Sequence, residues 1–163
     1  MRSATGVVGV VFVILGLSAF LLQMAWPEAV ERGYGAVRAA IVSVENSTSG
    51  ELPSVRLSSD GGIEGLDRCD GSFSEMTSYR QTGVPPVYAA HNNCGGDITH
   101  PWAVGQRVRI EGRGEVYEVV EVRDTPKRWV TTAALEGLSG DLALQTCYYG
   151  VNRMKFVGLV AVS

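Results

Sequence analysis

Hydrophobic residues fill the chain from residue 7 to residue 26, and this run carries no charged side chain. A helix of that length rises about 1.5 Å per residue and extends roughly 30 Å, the thickness of a bilayer's hydrocarbon core. Arg2 precedes the run, Trp26 lies at its far end, where interfacial aromatic residues are preferred, and Pro27 ends it. The pattern predicts a cytoplasmic tip and a transmembrane signal anchor within residues 1–27.

A cleaved signal peptide is the alternative interpretation of the same run. Such a peptide has a shorter apolar core followed by a small-x-small cleavage site. The run is long, and the sequence Met-Ala-Trp-Pro at residues 24–27 is a poor cleavage site, so the uncleaved anchor is favoured. Both interpretations place residues 28–163 outside the cytoplasm.

Residues 28–52 join the apolar run to the remainder of the chain. The first part is compatible with a helix, because its apolar residues recur at helical spacing: Ala29, Val30, Tyr34, Val37 and Ile41. A cluster of polar residues at 46–49 and Gly50 follow. We predict that this segment is a stalk or linker.

The pattern changes to short runs of β-branched and aromatic residues separated by Gly, Asp and Pro. Residues 107–111 alternate in polarity, as a strand with one solvated face does. Residues 132–138 are a candidate short helix. The candidate strands are residues 54–57, 87–91, 107–111, 116–123, 142–147 and 155–162. Strands at this spacing predict an all-β barrel or sandwich over residues 53–163.

Charge and composition narrow the function. The chain has 14 Lys and Arg against 17 Asp and Glu, a net charge of −3, which argues against a nucleic-acid-binding protein. The acidic residues Asp97, Glu115 and Asp124 form no cluster along the sequence, so no metal site and no cofactor are predicted. His100 precedes Pro101-Trp102 in a turn-like segment and is interpreted as structural.

The three cysteines are Cys69, Cys94 and Cys147. An exported chain meets oxidising conditions, and an odd count leaves one thiol that cannot pair within the chain. Cys69 and Cys94 both lie in loop sequence and are the predicted disulfide, whose loop of about 25 residues would contribute roughly 3 kcal/mol. A contact between Cys94 and His91 is the alternative. Cys147 ends an apolar strand, where its thiol is either presented to a substrate or is a small buried hydrophobic side chain.

Thiol catalysis needs an activated sulfur, an acid–base partner and a donor to the oxyanion that develops on the carbonyl. His91 ends one candidate strand, Cys147 ends another, and Arg153 begins a third. Each lies where a barrel strand opens onto a loop. Asp124 would orient the His91 ring if the fold brought the two together.

The order of these residues resembles that of the sortases, whose Thr-Leu-x-Thr-Cys motif is similar to residues 143–147 in all but the first position, Ala143. His91 after a small residue, Arg153 at the start of the strand after Cys147, and the apolar run are also similar to the family. The resemblance extends from about residue 53 to residue 162. It implies a sortase-like closed β-barrel of about seven to eight strands with short helices, behind one N-terminal transmembrane helix.

The resemblance also implies a membrane-anchored cysteine transpeptidase of a Gram-positive envelope. Cys147 would attack a Leu-Pro-x-Thr-Gly-like sorting signal and form a thioacyl-enzyme, while Thr146 and Leu144 line the substrate site. His91 would exchange protons with the leaving and incoming amines, and Arg153 would hold the substrate or the oxyanion. The acceptor would be an amine of a peptidoglycan precursor or a pilin.

Two alternatives remain open. Another exported thiol enzyme, of the L,D-transpeptidase or cysteine-peptidase kind, would also use Cys and His, but the usual motifs of those families are absent. The second alternative is a non-catalytic sortase-fold protein that serves as an envelope scaffold or binding module. An accessible, alkylation-sensitive Cys147 favours the enzyme, whereas a buried or bridged one favours the scaffold.

Overall fold

The computed structural model describes residues 4–59, 61–128 and 131–162. Two long helices come first, α1 (Ala4–Ala25) and α2 (Pro27–Thr48), and a short helix follows, α3 (Gly62–Asp67). Single 3₁₀ turns occupy Thr77–Tyr79, Asn92–Cys94, Gly96–Thr99 and Thr132–Leu135.

The strands of the described residues close into a barrel. They are β1 (Ser54–Leu57), β2 (Ser72–Glu75), β3 (Val87–Ala89), β4 (Arg107–Ile110), β5 (Val116–Pro126), β6 (Leu142–Cys147) and β7 (Arg153–Val162). Around the barrel their order is β1-β2-β3-β6-β7-β5-β4. β1 runs parallel to β2 and β4, β3 runs parallel to β6, and the other neighbours are antiparallel. The prediction of a closed barrel of about seven to eight strands is therefore confirmed.

Several element boundaries differ from those predicted. β2 was not predicted, because Phe73 is its only large apolar residue, yet its serines are buried as well. β3 ends at Ala89, two residues before His91, and a 3₁₀ turn begins directly after His91. β7 begins at Arg153 and β5 continues to Pro126, because the two strands pair over that whole length. The short helix expected over 132–138 is a single 3₁₀ turn.

Two apolar clusters stabilise the barrel. The larger fills its interior and includes Phe73, Trp102, Leu144 and Leu159. The smaller one brings β3, β6 and β7 together with the turn at Thr132–Leu135, and its members are Val87, Leu135, Leu138, Ala143, Met154 and Phe156. Cys147 packs at the margin of the smaller cluster, so the thiol lies outside the barrel interior.

Helix α1 presents exposed apolar side chains along the length for which burial is described. Among the described residues, one segment, Val8–Ala25, is long and apolar enough to cross a membrane, a property that a signal sequence shares. The helix is interrupted at Trp26, and α2 begins at the next residue, a proline in its first turn.

Helix α2 packs on the barrel through a face other than the predicted apolar one. Its buried residues are Gly35 and Val42, and the side chains of Glu31 and Arg38 on the same face reach the barrel. The residues of the predicted apolar stripe are exposed: Ala29, Val30, Tyr34, Val37 and Ile41. The helix prediction is correct. The buried face was missed because it depends on a glycine and two charged residues.

Gly35 and Asp97 fix α2 against the loop that follows Cys147. A Cβ atom at Gly35 would lie 2.7 Å from the Cβ of Tyr149, so the close approach of the two segments requires glycine. Asp97 accepts hydrogen bonds from Arg38 Nε at 2.9 Å and from the Tyr149 hydroxyl at 3.2 Å. The Asp97 side chain is only 4% exposed, so this ion pair is largely shielded from water on its acidic side.

Candidate active site

The strand register brings His91 and Cys147 to the same end of the barrel. β3 and β6 run parallel, with Ala89 opposite Gln145, and the Ala90 N–H donates to the Gln145 carbonyl at 3.1 Å. His91 follows Ala89 by two positions, just past the end of β3, and Cys147 follows Gln145 by two positions, at the end of β6. Two residues separated by 56 positions thus share one end of the barrel.

The hairpin of β6 and β7 brings Arg153 to the same end. Cys147 pairs with Met154, and the Tyr148 N–H donates to the Arg153 carbonyl at 3.0 Å. Side chains alternate along a strand, so Arg153 starts from the face opposite to that of Met154. Arg153 is exposed at the strand start, and its guanidinium lies free of the smaller apolar cluster.

Cys147 carries a free thiol, since Cys69 and Cys94 form a disulfide. The thiol is half-buried and packs against the smaller apolar cluster, beside Tyr79 and Val84. Gln145 Nε2 lies 3.9 Å from the sulfur. Burial raises the pKa of the Tyr79 hydroxyl, and the nearby Cys147 charge raises it further.

His91 is partly exposed, and it contacts an acidic residue that the sequence analysis did not identify. Its Nε2 atom lies 3.0 Å from Oδ1 of Asp67, at the last position of α3. Asp67 precedes His91 by 24 positions and belongs to no motif, so no local signal connects the two. The pairing comes from the fold, which brings the end of α3 beside the end of β3.

Arg153 is held by Asp124 on β5. Its Nη2 atom donates to Oδ2 of Asp124 at 2.8 Å, and the Tyr148 hydroxyl donates to Oδ1 at 2.9 Å. Burial, followed by the hydrogen bond to Asp124, raises the pKa of Tyr148 to about 12. Asp124 was considered as a partner of His91; the structure pairs it with Arg153 instead, because β5 lies beside β7 and away from β3.

His100 lies behind the thiol-bearing segment. Its Nε2 atom is 3.0 Å from the Cys147 carbonyl, and its ring stacks on Tyr148 with centroids 5.1 Å apart. Burial lowers the pKa of the His100 imidazole, and its hydrogen bond to the Cys147 carbonyl opposes that shift. The sequence interpretation of His100 as structural did not foresee that it contacts the backbone of Cys147.

Leu144 and Thr146 were expected to line the substrate site, but both side chains are fully buried. Leu144 belongs to the barrel interior, and the Thr146 hydroxyl donates to the Ala90 carbonyl at 3.0 Å. The hydroxyl thereby links β3 to β6 one residue before His91 and Cys147. Both side chains face inward because they alternate with Cys147 along β6, which leaves them a packing role here.

An open groove of about 950 Å³ is lined by chain neighbours of His91, Cys147 and Arg153, although none of these three residues lines it. Its walls include Asn92, Tyr148 and Asn152, which are the chain neighbours of His91, Cys147 and Arg153 respectively. Its other wall is formed by the end of α1 and the start of α2. Within the described ranges, no group of three or more His, Cys, Asp or Glu side chains is placed to hold a metal ion.

No protein-family model and no curated protein matches the chain. Among solved structures it is similar to Clostridium perfringens sortase C with the C-terminal cell wall sorting motif, at 17% identity and a TM-score of 0.41. That alignment covers 72% of this chain and 66% of the other, just under two thirds. It is also similar to a Clostridium perfringens sortase D5 transpeptidase, at 13% identity and a TM-score of 0.42, covering 68% of this chain and 70% of the other.

Proposed function

We propose that the protein is a membrane-anchored cysteine transpeptidase of the sortase type, with Cys147 as nucleophile, His91 as acid–base residue and Arg153 as the donor to the reacting carbonyl. The observation that supports the proposal is the parallel register of β3 and β6, whose ends lead to His91 and to the free, half-buried thiol of Cys147. A histidine and a thiol at adjacent strand ends are the minimum that acyl transfer through a thioester requires.

The reaction has two acyl-transfer steps. The Cys147 sulfur attacks the carbonyl carbon of a Leu-Pro-x-Thr-Gly-like peptide, the C–N bond breaks, and the leaving amine takes a proton from His91. A second amine then attacks the thioester carbonyl, returns a proton to His91 and releases the sulfur. Arg153 carries a permanent charge with planar donors suited to a carbonyl oxygen that becomes negative.

The groove beside the three residues is the proposed path of the peptide. It passes Tyr148 next to the thiol and Asn92 next to the histidine, and both present polar groups to an extended chain. Arg153 is 58% exposed, and it would reach the substrate by exchanging its contact with Asp124. The apolar helix α1 would hold this groove near the outer surface of the membrane, with an amine of a wall precursor or a pilin as acceptor.

The test uses the full chain in detergent micelles, a panel of Leu-Pro-x-Thr-Gly-like peptides and intact-mass measurement. We expect an acyl adduct on the wild type, none on Cys147→Ala, and discharge of the adduct when an amine is added. His91→Ala should slow turnover by about 10²-fold or more, the contribution of a positioned acid–base residue. The absence of an adduct across the panel, with Cys147 inert to iodoacetamide, would refute the proposal in favour of a non-catalytic envelope scaffold.

A further inference from the structure

The loops that carry Asp67 and His91 are joined at three points. The Asp67 carboxylate lies 3.0 Å from His91 Nε2. Two residues after Asp67, Cys69 forms a disulfide with Cys94, three residues after His91, with Cα atoms 4.8 Å apart. The side-chain contact and the covalent bond therefore connect the same two loops.

Close backbone packing forms the third connection. A Cβ atom at Gly95 would lie 3.3 Å from Cα of Gly71, so the two loops approach at a pair of glycines. The His91 carbonyl accepts hydrogen bonds from the N–H groups of Cys94 and Gly96, both at 3.0 Å. These two hydrogen bonds hold the backbone of His91 against the segment that contains Cys94.

Cys69 has a left-handed backbone conformation immediately after α3. Its φ is +55°, in a region that L-residues adopt only uncommonly. It stands two residues after Asp67, where the chain leaves the helix, so the disulfide attaches to the other loop at the point where the chain turns away from Asp67.

We infer that Asp67 is a positioning residue for His91 and that the Cys69–Cys94 disulfide holds Asp67 in place, an inference that rests on the proposed role of His91. Asp67 fixes the orientation of the imidazole through Nε2 and touches no reacting atom. Because the pair is exposed, with 42% of the His91 and 63% of the Asp67 side chain accessible, the carboxylate needs a second restraint to remain at the ring. The disulfide supplies it, so the protein should work at full rate only when oxidised.

The first measurement follows the ring itself and needs no substrate. Diethylpyrocarbonate modifies an imidazole nitrogen that is unprotonated and accessible, and peptide mass spectrometry reads His91 and His100 separately in one sample. We expect His91 to react severalfold faster in Asp67→Asn and in the Cys69→Ser/Cys94→Ser variant than in the wild type. Reduction of the wild type by a dithiol, which is itself oxidised as the bridge becomes two thiols, should have the same effect.

Two controls separate positioning from general loosening. Glu64→Gln removes an exposed carboxylate from the same helix α3 and should leave the His91 rate unchanged. The partly buried ring of His100 should react at one rate in every variant, because its contact with the Cys147 carbonyl does not involve these loops. If His91 reacts equally fast in the wild type, in Asp67→Asn and after reduction, the inference is wrong.

The second measurement is turnover of the full chain on an accepted peptide. Asp67→Asn should lower kcat by about 10-fold, the lower end of what hydrogen-bonded partners of functional histidines contribute, with KM unchanged. Asp67→Glu should restore most of kcat, because a carboxylate again reaches the ring. An active enzyme whose kcat is unchanged in Asp67→Asn, despite faster His91 modification, would overturn the positioning role. A wild type that forms no acyl adduct refutes the proposed function, and the modification rates still decide whether Asp67 and the disulfide hold the ring.

Discussion

Asp97 offers the sharpest stability prediction, because one buried carboxylate connects α2, the barrel and the loop after Cys147. Asp97→Asn keeps the shape of the side chain and removes its charge. Arg38 and Tyr149 then lose a charged acceptor, although the Asn carbonyl oxygen can still accept hydrogen bonds. The change therefore measures the charge without leaving a cavity.

The magnitude follows from the hydrogen bonds that Asp97 accepts from Arg38 and Tyr149. A hydrogen bond to a charged group contributes about 1.5–3 kcal/mol to the free energy of unfolding. The bond from Tyr149 contributes a fraction of that amount in addition. The Arg38 side chain is 36% exposed and regains water when the partner is lost, which reduces the cost. We expect a loss of about 2 kcal/mol in the free energy of unfolding, or a fall in Tm of about 4–8 °C for a chain of this size.

The assay is thermal unfolding of the full chain in detergent, followed by circular dichroism. The matched control is Glu118→Gln, which removes the acidic partner of an exposed ion pair with Arg107 at 3.9 Å. That change should alter stability by less than about 1 kcal/mol. Arg38→Met combined with Asp97→Asn should show a coupling of about 1 kcal/mol, because the two residues are in contact. If Asp97→Asn lowers Tm no further than Glu118→Gln does, the buried ion pair does not fasten α2 to the barrel.

Two further predictions use glycine spacing and tyrosine ionisation. Gly33→Ala should raise stability by about 0.5–1 kcal/mol, because a Cβ there meets no atom within 4 Å, whereas Gly35→Ala should lower it through the clash with Tyr149. Thermal unfolding compares the two, and equal shifts would show that α2 does not pack at Gly35. Tyr148 has a pKa raised to about 12 in the folded state, so its contribution to stability is complete below pH 10 and is lost as the pH rises to about 12. The urea midpoint should fall more between pH 10 and 12 in the wild type than in Tyr148→Phe, and equal falls would contradict this.

The sequence predicts the barrel because its strands carry their own signals. Residues 142–144 are apolar and lead through Gln145 into Thr-Cys, and the structure has β6 at that position. β2 escaped prediction because a single phenylalanine between serines shows no strand periodicity in one sequence. The helix of residues 27–48 was foreseen, but its buried face was not, since hydrophobic spacing cannot identify a contact made by Gly35 and Arg38.

The contacts within the candidate site were also only partly predictable from the sequence. His91, Cys147 and Arg153 were identified because each stands at the end of an apolar run. Their acidic partners Asp67 and Asp124 stand 24 and 29 positions away from the residues they hold, and only the packing of α3 and β5 relates them. The sequence alone does not show which residue either carboxylate contacts.

The parallel pairing of β3 and β6 has a consequence for how the protein is made. The chain between His91 and Cys147 forms β4 and β5 on the opposite side of the barrel. Pairings that span so many residues form slowly, because the loop must be closed before the contact stabilises it. In a newly made, unfolded chain the thiol and the imidazole are therefore far apart, and closure of the barrel brings them to the same end.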